Sequence, residues 1–509
     1  MNTKEHAEMK IRGSADVSYL GRTVDEMIWE FMEENGIPGL TLAIVQAPYI
    51  PRVVGYGLSD EKQRRLASVN TMWPAGPISQ AYAAVAAMQL YEAGKLDLDA
   101  PVSQYVENLP PLWKGITSRQ LLRHAAGLAD YRQAEGYDSQ REWSFAGLAA
   151  LVGEKELSFE PGTGVEQSAT NFLLLTEVVS RVSGMDYESF VKKHQFERLG
   201  LRHTGFTGDL DQYYSEDVSQ TGNIHQLFKM DGRFIDPVEQ AASYRQDGSP
   251  YSAIPSTALR GFGDVWASAQ DISFWDIGLA GGVLIEKAEN RAQLYGPWLL
   301  PDGNSVPANA GWQFYHHRGL MDIKGSVPGF SSFLSRFTHP DELVCVTLMA
   351  NREGVDFTNL GRRIAGAFGD LLSTNYDDNR LFLLEGQYPV EETLRRLETG
   401  LEKRNIPVFA KFDHGKNALE AGLELRPTTV LVFGSPKVGT GLMQADQSIS
   451  LELPLRISVW EDESGSTWLA APRMKRAAAE YGLENHPAVA GMQRLVEMLI
   501  REAANVYGA

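Results

Sequence analysis

Across residues 23–35 the apolar side chains Val24, Met27, Ile28, Phe31 and Met32 recur every three or four positions, which gathers them on one face of a predicted helix. Gly36 and Pro38 end it. Residues 40–45 are rich in strand formers, Pro48 and Pro51 mark a turn, and residues 52–57 form a second strand. A long helix is predicted over residues 80–93, with Ala83, Ala84, Ala87, Leu90 and Tyr91 packing inward and Gly94 as C-cap. Shorter helices follow at 118–124, 144–153 and 170–183. From 207 to 255 the periodicity dissolves into Gly, Asp, Ser, Tyr and Gln, a stretch longer than an ordinary loop and expected to cover a pocket. Alternating strand character returns at 312–316, 320–323, 330–337 and 343–349, spaced as an antiparallel meander that joins the two early strands in one sheet.

The composition turns polar at Asn375-Tyr376-Asp377-Asp378-Asn379, and a new pattern begins beyond it. A helix at 390–404, strands at 408–412 and 429–433, a Gly-rich turn, strands at 455–461 and 467–470 and a closing helix at 487–503 describe a small α+β domain. The chain thus divides into an N-terminal extension at 1–22, a first domain at 23–374, a linker at 375–384 and a second domain at 385–509. Two cores are expected in any case, because 509 residues exceed what one core usually serves.

Charge narrows the partners. Lys and Arg total 47 against 65 Asp and Glu, and a net charge of -18 repels a phosphate backbone, so nucleic acid is not an expected partner. Residues 1–17 carry Lys4, Glu5, His6, Glu8, Lys10 and Arg12 without an apolar core, unlike a secretory signal, and a cytoplasmic location is expected. No apolar run reaches the roughly 18 residues that cross a bilayer. Cys345 is the one cysteine, set in Leu343-Val344-Cys345-Val346, where a buried thiol is expected.

Several segments then fall into a familiar order. Ile37-Pro38-Gly39-Leu40, Glu92-Ala93-Gly94-Lys95-Leu96-Asp97-Leu98-Asp99, Leu121-Leu122-Arg123-His124-Ala125-Ala126-Gly127-Leu128, Phe159-Glu160-Pro161-Gly162-Thr163, Leu199-Gly200-Leu201 and Val327-Pro328-Gly329-Phe330 resemble the framework of the β-lactamase-related serine hydrolases, the family of class C β-lactamases and low-molecular-weight penicillin-binding proteins. The resemblance covers about 350 residues and implies an α/β (α+β) fold, a β-lactamase/transpeptidase-like domain with an antiparallel sheet flanked by helices.

That family acylates a serine one helical turn before a lysine, with a facing Tyr-x-Asn and a Lys- or His-Thr-Gly strand. Counting back from Gly94, the Ser-x-x-Lys position falls on Pro77-Ile78-Ser79-Gln80; counting on from Gly162, Tyr-x-Asn falls on Gln167-Ser168-Ala169; the strand motif reads Ile323-Lys324-Gly325. Proline has no nucleophilic atom and a neutral amide takes no proton from a hydroxyl. Catalytic residues are therefore not assigned, and Ser79, Lys324 and Tyr131 stand as the remaining candidates. Gln80, Gln167, Lys324, Gly325 and Trp73 are the expected ligand contacts, with Tyr213 and Tyr214 as further aromatic candidates. Each has a plainer reading: His124 as a framework residue, Lys324 on a strand surface, Tyr131 and Trp73 in the core. Neither a metal nor a cofactor is expected, and His316-His317 on a strand would point to opposite faces.

From about residue 385 onward, Arg426-Pro427-Thr428, Phe433-Gly434-Ser435-Pro436 and Trp460-Glu461-Asp462 resemble the DUF302 family. The resemblance implies a module that self-associates, hence a homodimer through this domain. Its reactive-looking residues are Asp413, His414 and Lys437, with turn and surface roles as the alternative. Two functions follow: a pseudoenzyme that binds a small molecule or partner in the former cleft, or an enzyme using that cleft for non-serine chemistry such as isomerisation, cyclisation, acyl transfer or hydrolysis. A third reading places the activity in the second domain.

Overall fold

The structure, a computed structural model, describes residues 17–46, 49–210, 229–230, 233–234, 239–314, 320–339, 342–368, 381–463 and 465–506. Tyr213, Tyr214, the pair His316-His317, most of the N-terminal extension and linker residues 375–380 lie outside the described residues. The chain forms two compact units. The first holds Met1–Gly296, Ala308–Gln313 and Met321–Ser373; the second holds Pro297–Pro307, Phe314–Leu320 and Thr374–Ala509.

In the first unit, helix α1 (Val24–Asn35) begins at Thr23, whose hydroxyl accepts from the Glu26 amide while the Glu26 carboxylate accepts from the Thr23 amide. This reciprocal cap satisfies two donors that the helix leaves open. Strand β1 (Gly39–Gln46) is buried on both faces, as Leu40, Leu42, Ala43, Ile44 and Val45 show. It pairs with β2 (Tyr49–Asp60) on one side and with β5 (Glu342–Ala350) on the other. The eight-stranded sheet runs Ala308–Asn309, Trp312–Gln313, β3 (Leu320–Val327), β4 (Phe330–His339), β5, β1, β2 and Arg65–Leu66. The early strands and the later meander thus share one sheet, as their patterns predict.

Helix α2 (Ser79–Glu92) is buried nearly all round, the mark of a helix at the centre of a domain. It packs on α3 (Ala169–Ser183), which Ser168 caps through the Thr170 amide and Gly184 ends in a left-handed conformation. The helix α4 (Thr358–Phe368) packs on β5.

The second unit is a five-stranded antiparallel sheet in the order β6 (Leu381–Gly386), β10 (Thr467–Pro472), β9 (Leu455–Glu461), β8 (Thr428–Phe433) and β7 (Val408–Asp413). Burial alternates along β8 and β9, so one face carries Leu431, Phe433, Ile457 and Val459 into a core with α5 (Val390–Glu402) and α8 (Pro487–Ala504). Several elements depart from the sequence pattern. The predicted Gly-rich turn is helix α7 (Pro436–Ala445), because Pro436 suits a first helical turn and Leu442 is fully buried. Helix α6 (His414–Glu420) and strand β6 also form where no element is predicted.

Candidate functional site

The residues at the positions counted for nucleophile and base, Pro77 and Gln80, stand at the N-terminal end of α2. A single tight turn, Gly76–Ile78, precedes the helix and takes Pro77 in its first positions, where a fixed backbone angle and a missing amide hydrogen cost little. The Pro77 ring rests on β3: a Cβ added at Gly325 would lie 2.5 Å from the Pro77 Cγ. Glycine at 325 is therefore what leaves room for proline at 77.

Gln80 is 2% exposed, and its Oε1 lies 3.0 Å from His124 Nε2. On the other ring nitrogen, His124 Nδ1 faces the Asn171 amide at 2.9 Å and the Ser168 backbone amide at 3.3 Å. Two donors on Nδ1 assign the imidazole proton to Nε2, which donates to Gln80. Burial pushes the His124 pKa down to about 4, so the ring is neutral at ordinary pH. Gln80, His124 and Asn171 thus form one line of hydrogen bonds joining α2 to α3, its two ends buried. Asn171 went unnoticed in the sequence; its signal is a polar residue two positions past Ala169, at a site otherwise apolar.

The other sequence candidates separate. Ser79 is fully buried and its Oγ accepts from the Val265 amide at 3.2 Å. Two positions along a helix from Pro77, it points about 200° away. Gln167 is exposed, whereas Ala169 is buried and donates its amide hydrogen to Asp130 at 3.3 Å. Ile323 is buried, and Lys324, one place on, faces the opposite side of β3. There its ammonium donates to Asp356 at 3.2 Å and to the Thr358 hydroxyl, with Asp322 at 3.9 Å. Tyr131 is core, its hydroxyl donating to the Ala258 carbonyl at 3.0 Å, and Trp73 is core, donating to Thr41 at 3.1 Å.

A cavity of about 410 Å³ opens elsewhere in this unit, lined among others by Asp60, Arg65, Tyr244, Trp266, Val327 and Phe330. Pro77, Gln80, Gln167 and Lys324 are not among its lining residues, nor are Gly325 and Trp73. Asp60 is buried, which raises its pKa, but hydrogen bonds from the Gln63 amide and the Tyr244 hydroxyl and the charge of Arg65 outweigh burial and hold it below the usual value. The Tyr244 hydroxyl donates to Asp60 at 2.8 Å, and Arg65 pairs with the same carboxylate at 3.2 Å. The Arg65 Nε hydrogen is buried and has no acceptor among the described residues.

In the second unit Asp413 is exposed and caps α6, accepting from the Lys416 amide at 2.8 Å. His414 and Lys437 are exposed as well. Asp413 pairs with Thr429 and Val408 with Phe433, so Asp413 sits at the end of β7 away from Phe433 and Lys437. At about 3.3 Å per residue the strand length alone separates these ends by roughly 16 Å. The three do not form a cluster. Among the described residues no group of three or more His, Cys, Asp or Glu is placed to hold a metal ion.

The fold and these positions define a β-lactamase/transpeptidase-like domain joined to a smaller α+β domain. The chain belongs to the Beta-lactamase family, which matches residues 24–368. The domain of unknown function DUF302 matches residues 384–501. The putative penicillin-binding protein PbpX of Bacillus subtilis is 27% identical over 348 residues, 68% of this chain and 79% of that protein. A shorter likeness, 32% over 190 residues, covers 34% of this chain and 74% of the fluoride-specific ion channel FluC 1 of Brucella suis. Among the described residues no helix is long and apolar enough to cross a membrane. In fold, the octameric penicillin-binding protein homologue from Pyrococcus abyssi superimposes with a TM-score of 0.55 at 18% identity, covering 88% of this chain and 89% of that one.

Proposed function

We propose that this chain is a non-acylating member of the β-lactamase family, a pseudoenzyme whose larger domain binds a small molecule. The observation that carries the reading is the pair Pro77 and Gln80. A ring packed on Gly325 stands at the position of the nucleophile, and an amide committed to His124 stands at the position of its base. Acyl transfer needs a nucleophile and a group to take its proton, and neither position offers one. Ser79 does not replace them, because its hydroxyl is buried and bound to the Val265 amide. Lys324 and Tyr131, on which the non-serine alternative leans, are engaged on the far face of β3 and in the core.

The ligand site goes with the cavity beside Trp266 and Phe330, whose volume of about 410 Å³ lies within the range of small-molecule sites. Its apolar wall at Trp266, Val327 and Phe330 and the Arg65 guanidinium among its lining residues suit a compact molecule with an aromatic or aliphatic body and one hydrogen-bond acceptor. The test is a fluorescent fluorophosphonate and a labelled penicillin applied to the full chain and to Pro77→Ser. Neither protein is expected to take up label, since restoring a hydroxyl without a base leaves it inert; label on wild-type Ser79 would overturn the reading. A thermal-shift screen of small acceptor-bearing aromatics should then give hits that Arg65→Ala loses.

A further inference from the structure

The second unit holds a cavity of its own, of about 460 Å³, bounded by the end of β7, the N-terminal half of α7, the loop before β9 and α8. Its walls are Ile406, Phe409, Met443, Leu453, Met492 and Leu495, and the polar side chains among its lining residues are three hydroxyls, Ser435, Thr440 and Ser450. No lining residue is charged. A buried charge without a partner is expensive, so this lining rejects ions and accepts hydrocarbon.

Two glycines keep the space open. Gly491 lies inside the 18-residue helix α8, where glycine costs about 1 kcal/mol relative to alanine. A Cβ there would meet nothing within 4 Å. At Gly439, inside α7, a Cβ would meet Leu453 and Met443 at 3.7 and 3.9 Å, ordinary contact distances. Neither glycine is required by a clash, yet a side chain at either would narrow the cavity. At the rim, Phe409 is 50% exposed and Val438 41% exposed, large apolar surface left to water. The two methionines add polarisable, adaptable walls of the kind that accept varied apolar shapes.

We propose that this cavity binds a small uncharged apolar molecule, its hydrocarbon body against Met443, Leu453, Met492 and Leu495 and its one hydrogen-bonding group at Ser435 or Thr440. The volume suits a single small molecule. The inference is independent of whether the larger domain acylates.

The experiment titrates the full chain with N-phenyl-1-naphthylamine, a neutral dye that brightens when desolvated. A saturable rise is expected, reversed by excess 1-decanol. Gly491→Leu and Gly439→Leu should each weaken the displaceable binding by at least about tenfold, equivalent to about 1.4 kcal/mol, with near-ultraviolet circular dichroism unchanged. Using two positions on different helices separates filling of the cavity from misfolding of one variant. Absence of saturable binding, or equal affinity in both folded variants, would overturn the proposal. So would a dimer in sedimentation that both variants dissociate while dye binding stays the same, since the apolar face would then belong to a second copy.

Discussion

At the scale of single residues, the account rests on what His124 can hold. Its Nε2 hydrogen has Gln80 as acceptor in a largely buried site, so Gln80→Ala should leave that donor unpaired and cost about 1–3 kcal/mol in chemical denaturation. Burial holds the His124 pKa at about 4 against an ordinary 6.5. A depressed value means that the stability is complete above the ordinary pKa and drains away as pH falls through the folded one. Nuclear magnetic resonance should therefore find the ring neutral, with its proton on Nε2, until the protein approaches acid unfolding. Asp264 has the opposite sign. Fully buried, it accepts from the Gly261 amide at 2.7 Å through one oxygen, and the other has no partner among the described residues. Burial raises its pKa from 3.8 to about 8, so its contribution is complete below pH 3.8 and lost as pH climbs through 8. Asp264→Asn keeps the Gly261 bond through its amide oxygen and should stabilise the protein increasingly across that window, by roughly 1–3 kcal/mol at its alkaline end. A thermal midpoint that does not diverge from wild type between pH 4 and 9 would contradict this.

At the scale of elements, a buried ion pair ties the helix Ala269–Ala280, which carries Asp276, to strand β4. Arg336 on β4 meets Asp276 through two nitrogens, at 2.9 and 2.6 Å, and its guanidinium lies 4.6 Å from the Tyr295 ring centre and 5.2 Å from that of Trp312. Removing one member of such a pair strands the other charge, so Asp276→Ala should cost about 3–5 kcal/mol, whereas replacing both members with apolar side chains should cost less. Helices α1 and α3 were legible because each couples an apolar period to an end signal, Thr23 and Gly36 around α1 and Gly184 after α3, whereas α2, buried nearly all round, was legible from its length and the Gly94 that follows it. Strand β6 was not, because Leu381 to Leu384 follow directly on polar residues that read as linker. Helix α7 was obscured by Gly439 and Gly441, which weaken a helix locally while the buried Leu442 holds it in place.

At the scale of the whole molecule, the two units are not consecutive lengths of chain. Pro297–Pro307 belongs to the second unit, where the Ser305 amide donates to the Asn505 carbonyl at 2.8 Å and Ser305 bridges to Val506. A fragment of residues 381–506 alone loses these partners and should melt below the same unit in the full chain, as calorimetry of both would report; equal midpoints would speak against the division. This interleaving has no signal in a linear pattern. The resemblance placed the motif positions by counting, and the stretch 207–255, expected to cover a pocket, does line the larger domain's cavity through Tyr244, Tyr251 and Ile254; its other walls were out of reach of the sequence, because Arg65, Trp266 and Phe330 come from three separate segments. The former cleft shows the same limit: Gln80 and Gln167 look alike in sequence, but only Gln80 is buried and bound. The central claim is that Pro77 and Gln80 leave no acylating centre, and it is tested most directly by intact-mass spectrometry of the full chain after prolonged incubation with excess benzylpenicillin. The account predicts an unshifted mass, and a penicilloyl adduct on Ser79 or any other residue of the first unit would contradict it.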